Sequence, residues 1–229
     1  MKKVILILSL LILSVSVFSQ IPIENDNLVG ELSSDDFNNV AAEIKQKVKN
    51  FQRCVGQLAG NEYSHNEKVN IRKRALVMFM GEGERYKLAV PTHDGFDTVW
   101  HNAVVMGSAP TKNNRNMRKY EPLKNYLSRL ISNSESQNYR YKKVVIEGAD
   151  VVTLDNFRKV GDGSYIATAH ILQKFTGYYS ADMVRAAYQD YTAKTITIFI
   201  NRIEVDQPDG GSKHYWQIKL GDVDCDDVW

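Results

Sequence analysis

The run Thr195-Ile196-Thr197-Ile198-Phe199-Ile200 leaves this chain little conformational choice. β-Branched residues lose side-chain freedom in a helix and pack well on a pleated surface, so an unbroken series of them predicts a strand. We expect that strand over Thr192–Val205. Gln207-Pro208-Asp209-Gly210-Gly211 then reads as a hairpin turn. Beyond it, Trp216, Ile218 and Leu220 alternate with Tyr215, Gln217 and Lys219 in a strand over Tyr215–Val223. Upstream, Tyr141–Phe157 reads as one strand region with Gly148 as a bulge. Val160-Gly161-Asp162-Gly163 signals a second hairpin turn, and Ser164–Thr176 the next strand. Ser180–Ala187 fits a short helix or a loop equally. The C-terminal part of the chain therefore predicts a long-stranded antiparallel sheet.

A sheet with one apolar face needs a second layer to cover it. Phe37, Val40, Ala41, Ile44, Val48, Phe51, Val55 and Leu58 form one stripe on a helix that Ser33-Ser34-Asp35-Asp36 starts and Gly60-Asn61 ends. Ser64-His65-Asn66-Glu67 has the form of a capping box and opens a second helix to about Met80, which Gly81-Glu82-Gly83 breaks. Strands follow near Arg85–Val90 and Thr98–Met106, then a polar loop over Pro110–Asn116. Pro122 opens a third helix carrying Leu123, Tyr126, Leu127, Leu130 and Ile131 inward, and Ser132–Asn138 is a polar turn. The expected fold is α+β: helices followed by a long-stranded, curved antiparallel sheet wrapped around the N-terminal helix. With 229 residues, 43% of them hydrophobic, the chain has enough apolar surface for a single domain, placed at residues 33–224. A flexible lead at 20–32 and an acidic tail at 225–229 flank it.

The first residues predict export. Lys2 and Lys3 precede an apolar stretch from Val4 to Val17, with Ser19 at the last position before an expected cleavage. Residues 1–19 are thus a signal peptide. The apolar stretch is shorter than the roughly 20 residues needed to span a bilayer, so no transmembrane anchor remains after cleavage. No cysteine stands at the cleavage site for lipid attachment, so the expected product is periplasmic or extracellular and not a lipoprotein. The full chain carries 29 basic and 27 acidic residues, a net charge of +2, and the mature chain loses two lysines and becomes neutral. That balance removes the electrostatic motive for binding nucleic acid or anionic lipid. In an oxidising compartment Cys54 and Cys225, the 2 cysteines, either pair or stay as two buried thiols.

No catalytic or cofactor signature emerges. Gly81-Glu82-Gly83-Glu84-Arg85-Tyr86 follows a helix and lacks the third glycine of a dinucleotide loop. The histidines at 65, 93, 101, 170 and 214 are scattered and no cysteine pair has metal spacing, so neither a metal nor a cofactor is expected. Asp222-Val223-Asp224-Cys225-Asp226-Asp227 starts like a calcium loop but ends before its distal half. No serine-hydrolase elbow occurs, and Cys54 belongs to the first helix's long apolar face. Arg72-Lys73-Arg74 and the group Arg115, Arg118 and Lys119 read as solvated faces.

The order of elements, with Tyr141-Lys142-Lys143-Val144-Val145-Ile146-Glu147, Lys174-Phe175-Thr176-Gly177-Tyr178 and Ile218-Lys219-Leu220-Gly221-Asp222-Val223, resembles the nuclear-transport-factor-2-like (cystatin-like) cone of ketosteroid isomerase relatives. It resembles in particular uncharacterised exported proteins of that fold from Bacteroidetes-type bacteria. The resemblance spans about Ser33 to Val223. It implies either a binding module or an isomerase- or dehydratase-like enzyme, in which an acid and base work inside an apolar cone. Residues of suitable type are Asp150, Tyr165 and His170, none aligned to a family position. His170 is in phase with Ile166, Thr168 and Leu172. Facing the cone it would be a proton carrier; on the outer face or hydrogen-bonded in the core it would be structural.

Tyrosines dominate the sheet, and Tyr178, Tyr179 and Tyr215 are the candidate interaction surface. The expected function is an exported, non-catalytic module that binds a protein partner or small ligand through the sheet face or cone mouth, with homodimerisation through the open face. The alternatives are the enzyme with a His/Asp proton carrier and a structural subunit of a cell-envelope assembly.

Overall fold

The computed structural model describes residues 32–108, 118–148, 152–161, 163–207 and 210–226. The expected signal peptide, nearly all of the lead, the loop at Pro110–Asn116, Asp150 and the last three residues lie outside these.

Helix α1 spans Ser34–Ala59 and α2 spans His65–Val77, each opened by a complete capping box. Ser33 accepts from the Asp36 amide while the Asp36 carboxylate accepts from Ser33, and Ser64 and Glu67 repeat the exchange. These contacts, the Ser33 and Ser64 hydroxyls first, hold both carboxyls below their usual range. Helix α2 ends sooner than the sequence suggests. Phe79 leaves it to bridge Leu220, and a 3-10 turn at Met80–Gly83 follows with Gly81 at φ 63° and Glu82 at φ 53°. Lys219 stabilises this corner by donating to the Val77 carbonyl at 2.6 Å and to Glu82 at 3.1 Å.

Strands β1 (Tyr86–Thr92) and β2 (Gly95–His101) form a hairpin of their own. The single strand expected over Thr98–Met106 is therefore broken, and β3 begins only at Val105. The other elements are β3 (Val105–Ser108), β4 (Lys119–Pro122), α3 (Leu123–Ser134), β5 (Lys143–Glu147), β6 (Thr153–Gly161), β7 (Ser164–Tyr178), β8 (Ala186–Asp206) and β9 (Ser212–Asp226). The region expected as one strand over Tyr141–Phe157 splits into β5 and β6 around Gly148, at φ 119°, where a Cβ would collide with the Leu172 carbonyl. The undecided Ser180–Ala187 is a turn leading into β8. Strand β9 runs to Asp226 and takes in Cys225, which the sequence assigned to the tail.

The large sheet has the order β4-β3-β9-β8-β7-β5, with β6 also paired to β7. It is mixed and not wholly antiparallel, because β3 pairs with β9 in parallel at Met106 and Val223. Parallel neighbours need a long crossover, and everything between β3 and β9 supplies it here.

One face of the sheet is buried under helices. Tyr165, Ala167 and Ala169 of β7 stand opposite Ile200, Ile198 and Ile196 of β8, and Ile218, Leu220 and Val223 of β9 extend the layer. Val40, Ile44, Val48, Phe51, Val55 and Leu58 of α1 join the same core. At one end, Phe37 of α1 meets Phe157 edge-on at 5.5 Å, and Phe157 tilts over Tyr165. Lys47 reaches from the helix to the Ile218 carbonyl at 2.6 Å. The Tyr86 ring on β1 packs edge-on against Phe199, whose side chain lies on the sheet's other face, opposite Ile166.

Candidate functional site

Residues on one strand that differ by an odd number point to opposite faces. Tyr165 and His170 are five apart on β7 and therefore separate. Tyr165 is buried under the helices between Phe157 and Trp216, with ring centroids at 5.4 and 5.8 Å. His170 lies on the opposite face with its side chain 43% exposed. Asp150 lies outside the described residues. The structure does not bring Tyr165 and His170 together, and isoleucine, leucine and aromatic side chains of the core line the space under the helices.

His170 instead joins a polar row across the outer face. Its Nε2 lies 2.9 Å from the Asp155 carboxylate on β6, and its Nδ1 lies 3.2 Å from the Thr195 hydroxyl on β8. Thr195 in turn faces Asp224 on β9. In the neutral ring, Nε2–H donates to Asp155 and Nδ1 accepts from Thr195, so a carboxylate orients a base against a hydroxyl. Nucleophilic catalysis would also need donors aimed at a developing oxyanion. The backbone around Thr195 is committed to both neighbouring strands, and the row is open to water. The arrangement ties three strands, β6, β7 and β8, together and fixes one imidazole.

Sequence reasoning missed Asp155 because Asn156, at φ 50°, sits in a bulge that shifts the register of β6 against β7. Thr195 was visible only as part of the strand signal; its alternation with His170 becomes informative once the pairing is known.

The β7–β8 end is different in character. Tyr179 is 60% and Val184 81% exposed, and Met183 between them is also exposed. Met183 has φ 59°, a left-handed conformation unusual for such a side chain. The Asp182 carboxylate sets the turn by accepting from the Ser180 hydroxyl and from the Val184 amide at 3.4 Å. Those bonds, the Ser180 hydroxyl first, pull its pKa below the usual value. Beneath the tip lies an aromatic cluster. Tyr141 stacks on Tyr179 at 6.3 Å and meets Phe175 at 6.0 Å, Tyr188 at 6.4 Å and Tyr139 at 5.5 Å. Gly177 makes room for it, since a Cβ there would lie 2.7 Å from the Tyr141 ring. Burial pushes the Tyr139 phenol up to about 12. Arg140, Lys142 and Arg185 are exposed around the cluster.

Of the three tyrosines expected to share a surface, Tyr178 and Tyr179 belong to this end. Tyr215 does not. It pairs with Ile203 near the β8–β9 hairpin, roughly 50 Å along β8 from Tyr188 at about 3.4 Å per residue.

Cys54 and Cys225 are both buried thiols in the structure. They have different surroundings: Arg53 and Arg74 are the charges nearest in effect to Cys54, whereas Cys225 stands opposite Lys194. Burial pushes the Cys54 thiol above its usual range. Among the described residues no three His, Cys, Asp or Glu side chains gather as a metal site would require, and no helix is long and apolar enough to cross a membrane. Comparisons with protein-family models, with curated proteins and with solved structures found no match to this chain.

Proposed function

We propose that the chain is an exported, non-catalytic binding module built on a nuclear-transport-factor-2-like cone, and that it engages a partner protein through the β7–β8 end. Export rests on Lys2, Lys3, the apolar stretch that follows them and Ser19. The cone reading is supported by the strand order, in which the β3–β4 pair before α3 lies beside the last strand.

Binding rests on one observation: the apolar tip at Met183 and Val184 is held exposed by a strained turn. A left-handed non-glycine residue costs of order 1–3 kcal/mol, and here the strain brings no core burial in return. A partner that covers Val184, Met183 and Tyr179 recovers apolar contact. Arg140, Lys142 and Arg185 favour a partner surface bearing carboxylates. The enzyme alternative placed His170 in an apolar interior, and its side chain lies on the other face.

A photo-crosslinking side chain at position 184 tests this in the native host. We expect a discrete adduct from position 184, none from Asn125 on the exposed side of α3, and loss of the adduct when Asp182→Ala releases the turn. An adduct of twice the protein's mass identifies a second copy of the chain, and one with an envelope component identifies an assembly subunit. Equal adducts from both positions, or none from position 184, overturn the proposal.

A further inference from the structure

We propose that Lys194 and Cys225 form a reversible sulfur–nitrogen crosslink between β8 and β9 when the protein meets a peroxide. The two residues are direct partners in the antiparallel register, so their side chains leave the same face of the sheet. Both are buried, Lys194 at 7% and Cys225 at 1% exposure. The lysine head is 3.5 Å from the Gly107 carbonyl and 3.9 Å from the Met106 sulfur, both on β3. Strand β9 lies between β8 and β3. The Lys194 side chain therefore crosses over β9 at the place where Cys225 stands. Gly107 lets β3 lie close against β9 here, because a Cβ there would lie 3.0 Å from the Cys225 amide and 2.8 Å from the Val223 carbonyl.

A buried lysine normally finds a carboxylate. Among the described residues no carboxylate lies within ion-pair distance of Lys194, and its contacts are a long hydrogen bond and a thioether. Burial accordingly lowers its pKa, which enlarges the neutral, nucleophilic fraction. Cys54 and Cys225 are both thiols, and Lys194 is the amine that stands directly opposite Cys225 across the strands.

The chemistry closes with one peroxide. The Cys225 sulfur attacks the O–O bond, an S–O bond forms, and water leaves after proton transfer, giving the sulfenic acid. The Lys194 nitrogen then attacks that sulfur, the S–N bond forms, the S–O bond breaks, and the departing oxygen takes the amine proton as a second water. Sulfur loses two electrons overall and the peroxide gains them. Two equivalents of an external thiol reverse the step, restoring thiol and amine and leaving an external disulfide.

The test uses the purified protein carrying Cys54→Ser, which removes the competing disulfide, with Cys54→Ala as a second background should the first fold poorly. After peroxide and alkylation, mass spectrometry under denaturing, non-reducing conditions is expected to show a loss of about 2 Da per chain. Digestion should yield one linked pair of peptides containing Lys194 and Cys225, with cleavage after Lys194 blocked. Dithiothreitol should restore the starting mass, and both Lys194→Met and Cys225→Ser should abolish the shift. Gains of about 16, 32 or 48 Da at Cys225 with Lys194 still open to reductive methylation overturn the proposal. So does a gain of about 14 Da, in which an oxygen stays between the two atoms, and so does a Cys225 left unreacted by peroxide.

Discussion

Replacing Lys194 by methionine should stabilise the reduced protein. The side chain is 7% exposed, its head 3.5 Å from one carbonyl and 3.9 Å from one sulfur, and no described carboxylate offsets its charge. A cation taken from water for so little is destabilising, and apolar replacement of buried charges of this kind has been worth about 1–4 kcal/mol. Methionine has a similar length and keeps contact with Met106. At about 2–4 °C per kcal/mol for a chain of this size, a gain of about 2 kcal/mol raises Tm by about 4–8 °C. The pH dependence gives a second check. The folded pKa lies below the ordinary lysine value of 10.5, so the unfolded chain holds the proton to higher pH. Between those two values the unfolded state binds more protons, and stability of the parent protein rises with pH. The Met variant should lack that rise. Denaturant unfolding in reductant, from neutral pH to the lysine range, measures both. A Lys194→Met protein destabilised by more than about 1 kcal/mol, or one with the parent's pH slope, would refute the claim that this lysine is an uncompensated buried charge.

Gly107→Ala should cost about 1–3 kcal/mol by calorimetry, because the added carbon must push β3 away from the Val223 carbonyl. His170→Ala should change stability by no more than about 1 kcal/mol, since its pair with Asp155 is nearly half exposed; a cooperative loss of the fold would mean the polar row is a structural keystone. Ser64→Ala should remove about 1 kcal/mol with the cap, and an NMR titration should find the Glu67 carboxyl returned upward towards its ordinary value.

Much of the secondary structure was legible because period and punctuation agreed. The α1 stripe keeps helical spacing from Phe37 to Leu58 between a capping serine and Gly60, and the helix runs between those limits. Pro122 and the turns at 160–163 and 207–211 likewise mark real boundaries. Partner choice was not legible. Nothing local tells β1 and β2 to pair with each other alone, or β3 to lie parallel to β9, because both depend on contacts distant in sequence. For the site, alternation put His170 in phase with Ile166, Thr168 and Leu172 but could not say which face the helices cover. The same alternation puts Lys194 in phase with Ile196, Ile198 and Ile200, a signal for a buried cation that went unread. The turn that exposes Val184 depends on Asp182 bonding its neighbours, an ambiguity no periodicity resolves.

The bond from the Val105 amide to the Asp222 carboxylate joins positions 117 residues apart and accompanies the parallel seam between β3 and β9. During synthesis, the greasy side of α1 and the short β3 leave the ribosome long before their closing strand exists. The seam therefore closes only after β9 has emerged, and a nascent chain stalled before β9 would be a natural client for a holding chaperone.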